Sequence, residues 1–305
     1  SNQITEIKNL ESLTELKKLS LDSNQIKEVK NLELLTKLKK LSLGSNQITE
    51  IKNLESLTEL KKLSLDFNQI KEVKNLELLT KLKKLSLGSN QITEIKNLES
   101  TAKLEYLNLT FNKISEIKGV AHLKTLKSLY LGMNRIVKIE NLGELSNLEV
   151  LSFGYLGWNY EGNIYGTDEY YRSNFIQEIQ NLENLLCLKK LDISGNLIKT
   201  IPNLNPLREL KTLYLGHNQI EEIQGIEHLK KLKKLSFGFT TPDFDVKDLI
   251  HHELVSDHCP FSNQITEIES LSNLSNLTYL SLDSNQITEI KNLELLTKLR
   301  ELSLD

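Results

Sequence analysis

His251, His252, His258 and Cys259, with Asp257 beside them, are the residues of this chain best suited by type to hold a metal ion. Their spacing argues against it. Adjacent histidines on a helix diverge by about 100°, and neither a CxxC nor an HxxxH pair occurs there, so solvated loop histidines are the expectation and no metal or other cofactor is assigned. No GxSxG elbow, phosphate-binding loop or dinucleotide fingerprint is present, and neither Cys187 nor Cys259 has a sequence-encoded base, so an enzyme is not expected. Lys17, Lys18, Lys39, Lys40, Lys61, Lys62, Lys83 and Lys84 form a basic ladder that could track phosphates. Interleaved Asp22, Asp66 and many glutamates favour a solvated face over nucleic acid. Asn108-Leu109-Thr110, Asn273-Leu274-Ser275 and Asn276-Leu277-Thr278 match the glycosylation acceptor pattern, as chance provides in so Asn-rich a chain.

Composition sets the frame for these residues. The 305 residues carry a formal charge of −3, with 39% hydrophobic and 26% charged residues, which excludes collagen, a disordered tail and a strongly basic nucleic-acid binder. Lys or Glu recurs every few positions, so no stretch approaches the roughly 18 apolar residues of a membrane helix. Two cysteines are too few for a disulfide framework and permit a reducing compartment such as the cytoplasm. The chain opens Ser1-Asn2-Gln3 and its single Met is Met133, so a trimmed initiator, leader or neighbouring domain is expected.

The elements that position the side chains come from an internal repeat. Residues 1–22 recur unchanged at 45–66, and 23–44 recur at 67–88 with the single change of Ser23 to Phe67. The unit, LxxLxLxxNxIxxIxxLxxLxx, has 22 residues, and its first Leu falls at Leu16, Leu38, Leu60, Leu82, Leu104, Leu126, Leu148, Leu188, Leu210, Leu232, Leu277 and Leu299. Two interruptions, of 18 and 23 residues, break the step. Within LxxLxL the last two leucines alternate as a short half-buried strand, while IxxIxxLxxL spaces apolar residues by three, as a tight helical or 3₁₀ return does. A single turn cannot fold alone, so neighbouring turns must stack. The Asn column (Asn24, Asn46, Asn68, Asn90, Asn112, Asn134, Asn174, Asn196, Asn218, Asn263, Asn285) follows each strand, where an amide can satisfy backbone groups of a turning loop.

On these residues the chain resembles the leucine-rich repeat family, in the 22-residue class shared by bacterial internalins and the leucine-rich regulatory subunit of protein phosphatase 1. The resemblance spans the full length. It implies an α/β fold: a right-handed solenoid, or horseshoe, with a parallel sheet on the concave face and 3₁₀ or short helical turns on the convex side. One domain, 1–305, of twelve repeats with insertions at about 155–173 and 239–261 is the expected organisation. The resemblance also implies a non-enzymatic module that binds a folded protein, and it leaves a bacterial surface open as the location.

Only Phe67 of the 18 aromatic residues lies in the first 100 positions, so the repeat itself does not need rings. The third, fifth, seventh and eighth positions of LxxLxLxx face away from the core. Tyr106, Tyr130, Tyr214 and Tyr279 take such places on the strands, and Phe67, Phe111, Met133, Tyr155, His217 and Phe239 take the eighth position. Rigid amphipathic rings are enriched at binding hot spots; rings packed on one another or beneath the insertions are the alternative. The first insertion brings Trp158, Tyr160, Tyr165, Tyr170 and Tyr171 among glycines, at net −2, the composition of adaptable recognition loops or of a flap covering the sheet's edge. The second, with Phe244 and net −4, suggests a short amphipathic helix around Val246, Leu249, Ile250 and Leu254. Both leave just after a strand, three strands apart, or roughly 14 Å at about 4.8 Å per strand, close enough to act as a pincer.

The leading expectation is therefore a recognition module that grips a protein or peptide, with neither nucleic acid nor membrane as partner. The alternative is an engineered or recently duplicated consensus array without an evolved ligand, which the repetition of residues 1–44 favours. Ordinary repeats at both ends (Ile4, Ile7, Leu10, Leu13; Leu299, Leu302, Leu304) lack polar caps, so end-to-end self-association or absent flanking segments are expected.

Overall fold

The computed structural model describes residues 2–154, 173–238 and 262–305. Each LxL segment forms a three-residue strand: β1 Lys18–Ser20, β2 Lys40–Ser42, β3 Lys62–Ser64, β4 Lys84–Ser86, β5 Tyr106–Asn108, β6 Ser128–Tyr130, β7 Val150–Ser152, β8 Lys190–Asp192, β9 Thr212–Tyr214, β10 Lys234–Ser236, β11 Tyr279–Ser281 and β12 Glu301–Ser303. The chain divides into two compact units. One comprises Ser1–Ile136 with Glu140–Val150, the other Val137–Ile139 with Leu151–Asp305.

In the first unit β1 to β6 pair successively, all parallel, with equivalent repeat positions opposite one another, as in Lys18↔Lys40 and Lys62↔Lys84. In the second unit β8 to β12 pair in the same manner. The fold is a parallel-sheet solenoid of leucine-rich turns with almost no helix. The expected helical returns are successive tight turns: Leu13 N–H donates to the Leu10 carbonyl and Leu16 N–H to that of Leu13, both at 2.9 Å. The three-residue apolar spacing is thus the spacing of these bonds. Only Glu99–Thr101, where Thr101 replaces the usual Leu, closes as a 3₁₀ turn among the described residues.

The core of each unit is the stack of repeat leucines and isoleucines, most of them fully buried, as at Leu38, Leu60, Leu82, Leu191 and Leu213. Phe153 and Phe237 take a core Leu position in the two turns that carry the insertions and are fully buried. At the ends of the stack the packing thins, and Leu13 and Leu302 are exposed.

Asparagines tie each turn to the next. The Asn68 side chain accepts from the Ile48 N–H (2.9 Å) and donates to the carbonyls of Leu43 and Leu65 (both 3.0 Å) and Asp66 (3.2 Å). The same four bonds recur at Asn46, Asn90, Asn112 and Asn134. In the second unit Asn174 and Asn263, each just beyond an insertion, donate to the carbonyls of Phe153 (3.1 Å) and Phe237 (2.7 Å). Each insertion therefore leaves and rejoins within one turn, between strand and Asn, and the ladder resumes after it.

A second ladder was not anticipated. Asn31, Asn53, Asn75, Asn97 and Asn141 sit at φ between 57° and 59° and donate to the carbonyls of Ile7, Val29, Ile51, Val73 and Ile117 at 2.6 to 2.7 Å. Gly119 (φ 71°) and Gly225 (φ 73°) occupy the same column. Asn and Gly interchange there because both tolerate the left-handed region; that exchange was the readable signal.

Replacing Asn68 by Ala leaves the buried Ile48 N–H without an acceptor and takes one of two donors from each of the Leu43, Leu65 and Asp66 carbonyls, and is expected to cost about 1–3 kcal/mol in urea unfolding. Asn24→Ala, in the half-exposed first turn, is expected to cost less than about 1 kcal/mol.

Candidate functional site

The strand residues that flank each buried Leu form the face of the sheet opposite the core. In the first unit this face carries two rings. Tyr106 opens β5 and Tyr130 closes β6, a diagonal pair whose centroids lie 5.3 Å apart at 47°. The Lys84 ammonium stands 5.5 Å from the centre of the Tyr106 ring. Both tyrosines are half-buried. Burial raises the Tyr130 hydroxyl above its ordinary range, partly offset by a bond with Ser128.

Beside the rings lies a polar row. Asp66 accepts from Ser86 (2.7 Å), the Gly88 N–H (2.7 Å) and Ser64 (2.9 Å). Burial pushes its carboxyl upward against the opposing effect of these bonds. A Cβ on Gly88 would stand 2.9 Å from the Asp66 oxygen, so the glycine leaves room for the carboxylate of the preceding turn. Asp22 and Gly44 repeat the arrangement, with the Gly44 N–H 2.6 Å from the carboxylate. Asp22/Gly44 is one of five alternations, with Thr5/Lys27, Ile7/Val29, Ser12/Leu34 and Glu15/Lys37, that make the near-identical unit two turns and not one.

The eighth-position residues lie on the turn that follows the strand, in the left-handed region: Phe67 at φ 55°, Phe111 at 55° and Met133 at 53°. Most other turns of this unit place Ser there (Ser23, Ser45, Ser89). For a bulky side chain this conformation costs about 1–2 kcal/mol. Hydrogen bonds to the next turn hold it, Phe67 N–H to Gly88 and Phe111 N–H to Gly132, both at 2.9 Å. Strain borne by large side chains at the rim of one face points to a use for them there.

The second unit has its own polar face. The carboxylate of Asp192 is fully buried and accepts from the Ser194 N–H (3.0 Å) and hydroxyl and from Ser152 (3.1 Å). Burial raises its pKa, opposed by those bonds and by Lys190. A Cβ on Gly154 would overlap this carboxylate at 1.9 Å, so here the glycine of the preceding turn makes room for an Asp on the strand. Tyr214, next to Asp192 in register, is only 3% exposed, and its hydroxyl is pushed up to about 12 by burial, then by Asp192 and Tyr279. The Lys190 ammonium lies 5.1 Å from the Tyr214 ring, and burial lowers it to about 8. Tyr279 is half-buried on β11, and His217 takes the left-handed turn position at φ 53°.

The structure thus brings Tyr106, Tyr130, Phe111 and Met133 to one face of the first unit, with Phe67, and Tyr214 and His217 to the second. Tyr155, Trp158, Tyr160, Tyr165, Tyr170, Tyr171, Phe239 and Phe244 lie outside the described residues, as do His251, His252, His258, Cys259 and the proposed pincer. Among the described residues no three acidic, His or Cys side chains cluster to hold a metal, and no helix is long and apolar enough to cross a membrane.

A family model for Leucine Rich repeats (2 copies) matches residues 36–78 and 80–122. The crystal structure of an internalin, InlF, from Listeria monocytogenes is 30% identical, with a TM-score of 0.69 over 99% of this chain and 84% of that one. The functional domain of InlJ from the same organism is 26% identical, with a TM-score of 0.68 over 98% of this chain and 60% of its own. A leucine-rich repeat protein of Leptospira interrogans is 25% identical, with a TM-score of 0.71 over 98% and 74%. The search of curated proteins finds no match. The chain belongs to the leucine-rich repeat family, whose fold is typical of protein-interaction modules and generally not of enzymes.

Lys190 holds fewer protons in the folded chain than its ordinary value of 10.5 would give, so its contribution to stability rises with pH from about 8. Above pH 10 Tyr214 opposes this, because the folded chain retains a proton that the unfolded chain releases. Chemical denaturation between pH 8 and 10 is expected to show a rise in stability that Lys190→Met abolishes.

Proposed function

We propose that the chain is a protein-recognition module that docks a protein or peptide on the sheet face of its first unit, around Tyr106, Tyr130, Phe111 and Met133. One observation carries the reading: large apolar side chains hold left-handed backbone beside a half-exposed tyrosine pair, in a frame whose earlier turns fill the same places with Ser and Lys. Rings of this kind supply contact area at low entropic cost, and Lys84 adds a cation to the rim of the Tyr106 ring. His217, on the left-handed turn position of the second unit, is a candidate for a contact of its own. The internalin similarity supports the class of partner and leaves its identity open.

The other reading, a duplicated scaffold without an evolved ligand, is favoured by the identity of residues 1–22 with 45–66. Peptide-display selection on the folded chain separates the two. Enriched peptides are expected to lose at least about tenfold in affinity on Tyr106→Ser/Tyr130→Ser, or about 1.4 kcal/mol. Peptides indifferent to that change would support the scaffold. Phe111→Gly relieves the left-handed strain, so its stability is expected to stay within about 1 kcal/mol of the parent while peptide affinity falls.

A further inference from the structure

We propose that the lysine ladder of β1 to β4 is a second recognition surface, which takes an acidic stretch of polypeptide in extended form. All eight lysines are exposed. Lys18, Lys40, Lys62 and Lys84 stand opposite one another in the parallel register, and Lys17, Lys39, Lys61 and Lys83 form a second row beside them. The eight lysines and Glu105 line a groove of about 280 Å³ whose walls are mostly apolar, the aliphatic stems of the lysines.

The positive charge of this groove is nearly uncompensated. Among the described residues, Lys83 pairs with Glu105 at 2.6 Å and Lys84 lies over Tyr106, while none of the other six is within ion-pair distance of a carboxylate. The acids nearest the ladder are engaged elsewhere. Glu15 and Glu59, whose fields include Lys17, Lys39 and Lys61, bind Lys37 and Lys81. Asp22 and Asp66 are held by serines and glycine N–H groups. Like charges aligned across neighbouring strands destabilise a sheet, and an anionic ligand would offset that cost.

The chemistry of the ladder selects the kind of anion. At about 4.8 Å per strand the rows span roughly 14 Å, the length of about four extended residues. The groove supplies apolar stems for a peptide backbone and β-carbons, with ammonium groups on both sides for carboxylates. Single-strand binders combine a basic groove with rings on which the bases stack, and bidentate phosphate recognition favours the guanidinium fork over an ammonium. Tyr106 at the end of the ladder and Phe67 on the turn after β3 are the rings beside it, too few to stack a run of bases, and no arginine precedes Arg135.

The test is fluorescence anisotropy with a labelled oligoglutamate of about eight residues, and an oligothymidylate of equal charge as comparator, on the full chain. Oligoglutamate is expected to bind more tightly than oligothymidylate, to weaken at least about tenfold between about 50 and 300 mM salt, and to lose at least about tenfold on Lys40→Glu/Lys62→Glu. Circular dichroism of that variant is expected to match the parent, because both side chains are exposed; Lys40→Gln/Lys62→Gln gives a milder loss should the reversal disturb folding. Tyr130→Ser is expected to leave oligoglutamate affinity within about twofold, which separates this surface from the aromatic one. Absence of binding, indifference to both double variants, or tighter binding of oligothymidylate would overturn the proposal.

Discussion

The described turns of this protein depend on one interaction: the asparagine after each strand captures carbonyls of its own turn and the preceding one, and an N–H of the preceding turn. The chain bends sharply into the core after each strand, where backbone groups have no sheet partner and no water. A primary amide offers donors and an acceptor on one short side chain, so a single residue satisfies them together. Because Asn68 bonds both within its own turn and to the turn before it, the column couples neighbours along the stack as well as closing each bend. The second column, Asn31 to Asn141, repeats the device on the other side of the turn from a left-handed backbone. Leucines supply the driving force, but the amides make burial of the bends possible.

With the frame held from inside, the face of the strands is free to carry whatever chemistry is written there. In the first four turns that chemistry is Lys, Ser and the Asp/Gly alternation; from β5 onward rings appear. The eighth position shows the consequence most clearly. The backbone there is fixed in the left-handed region by bonds to the next turn, and Phe67, Phe111 and Met133 adopt it although their side chains disfavour it. A position that accepts strain without losing the fold is one where side-chain identity can be set by a ligand.

Much of this was legible before any coordinates. The 22-residue period gave the strands, the parallel stacking and the first Asn column, because each is a local pattern repeated until chance is excluded. The spacing of three implies tight helical or 3₁₀ returns, and the i-to-i−3 bonds of successive turns have that spacing; periodicity alone does not say how far such turns join into a continuous helix. The second Asn column lay in plain sight at Asn9, Asn31 and Asn53 but was passed over, since its meaning rests on backbone sign and not on hydropathy. The Asp-to-Gly bonds are hidden for a different reason: each is a contact between residues 22 apart, as in Asp66 with Gly88. Phase puts Tyr214 on the strand face away from the leucine core, where an exposed ring is expected, but the side chain is only 3% exposed, and its burial beside Asp192 depends on neighbours that phase does not reveal.

The separation of frame from face is the claim on which the functional reading rests. Hydrogen exchange at the N–H groups of Ile26, Ile48, Ile70, Ile92 and Ile114, each donated to an Asn of the next turn, measures it in a chain whose Phe67, Tyr106, Phe111, Tyr130 and Met133 are all replaced by Ser. Slow exchange at all five sites, unchanged from the parent, is the result this structure predicts. Accelerated exchange at these amides would show that the rings hold the frame together and would contradict their assignment to a docking surface.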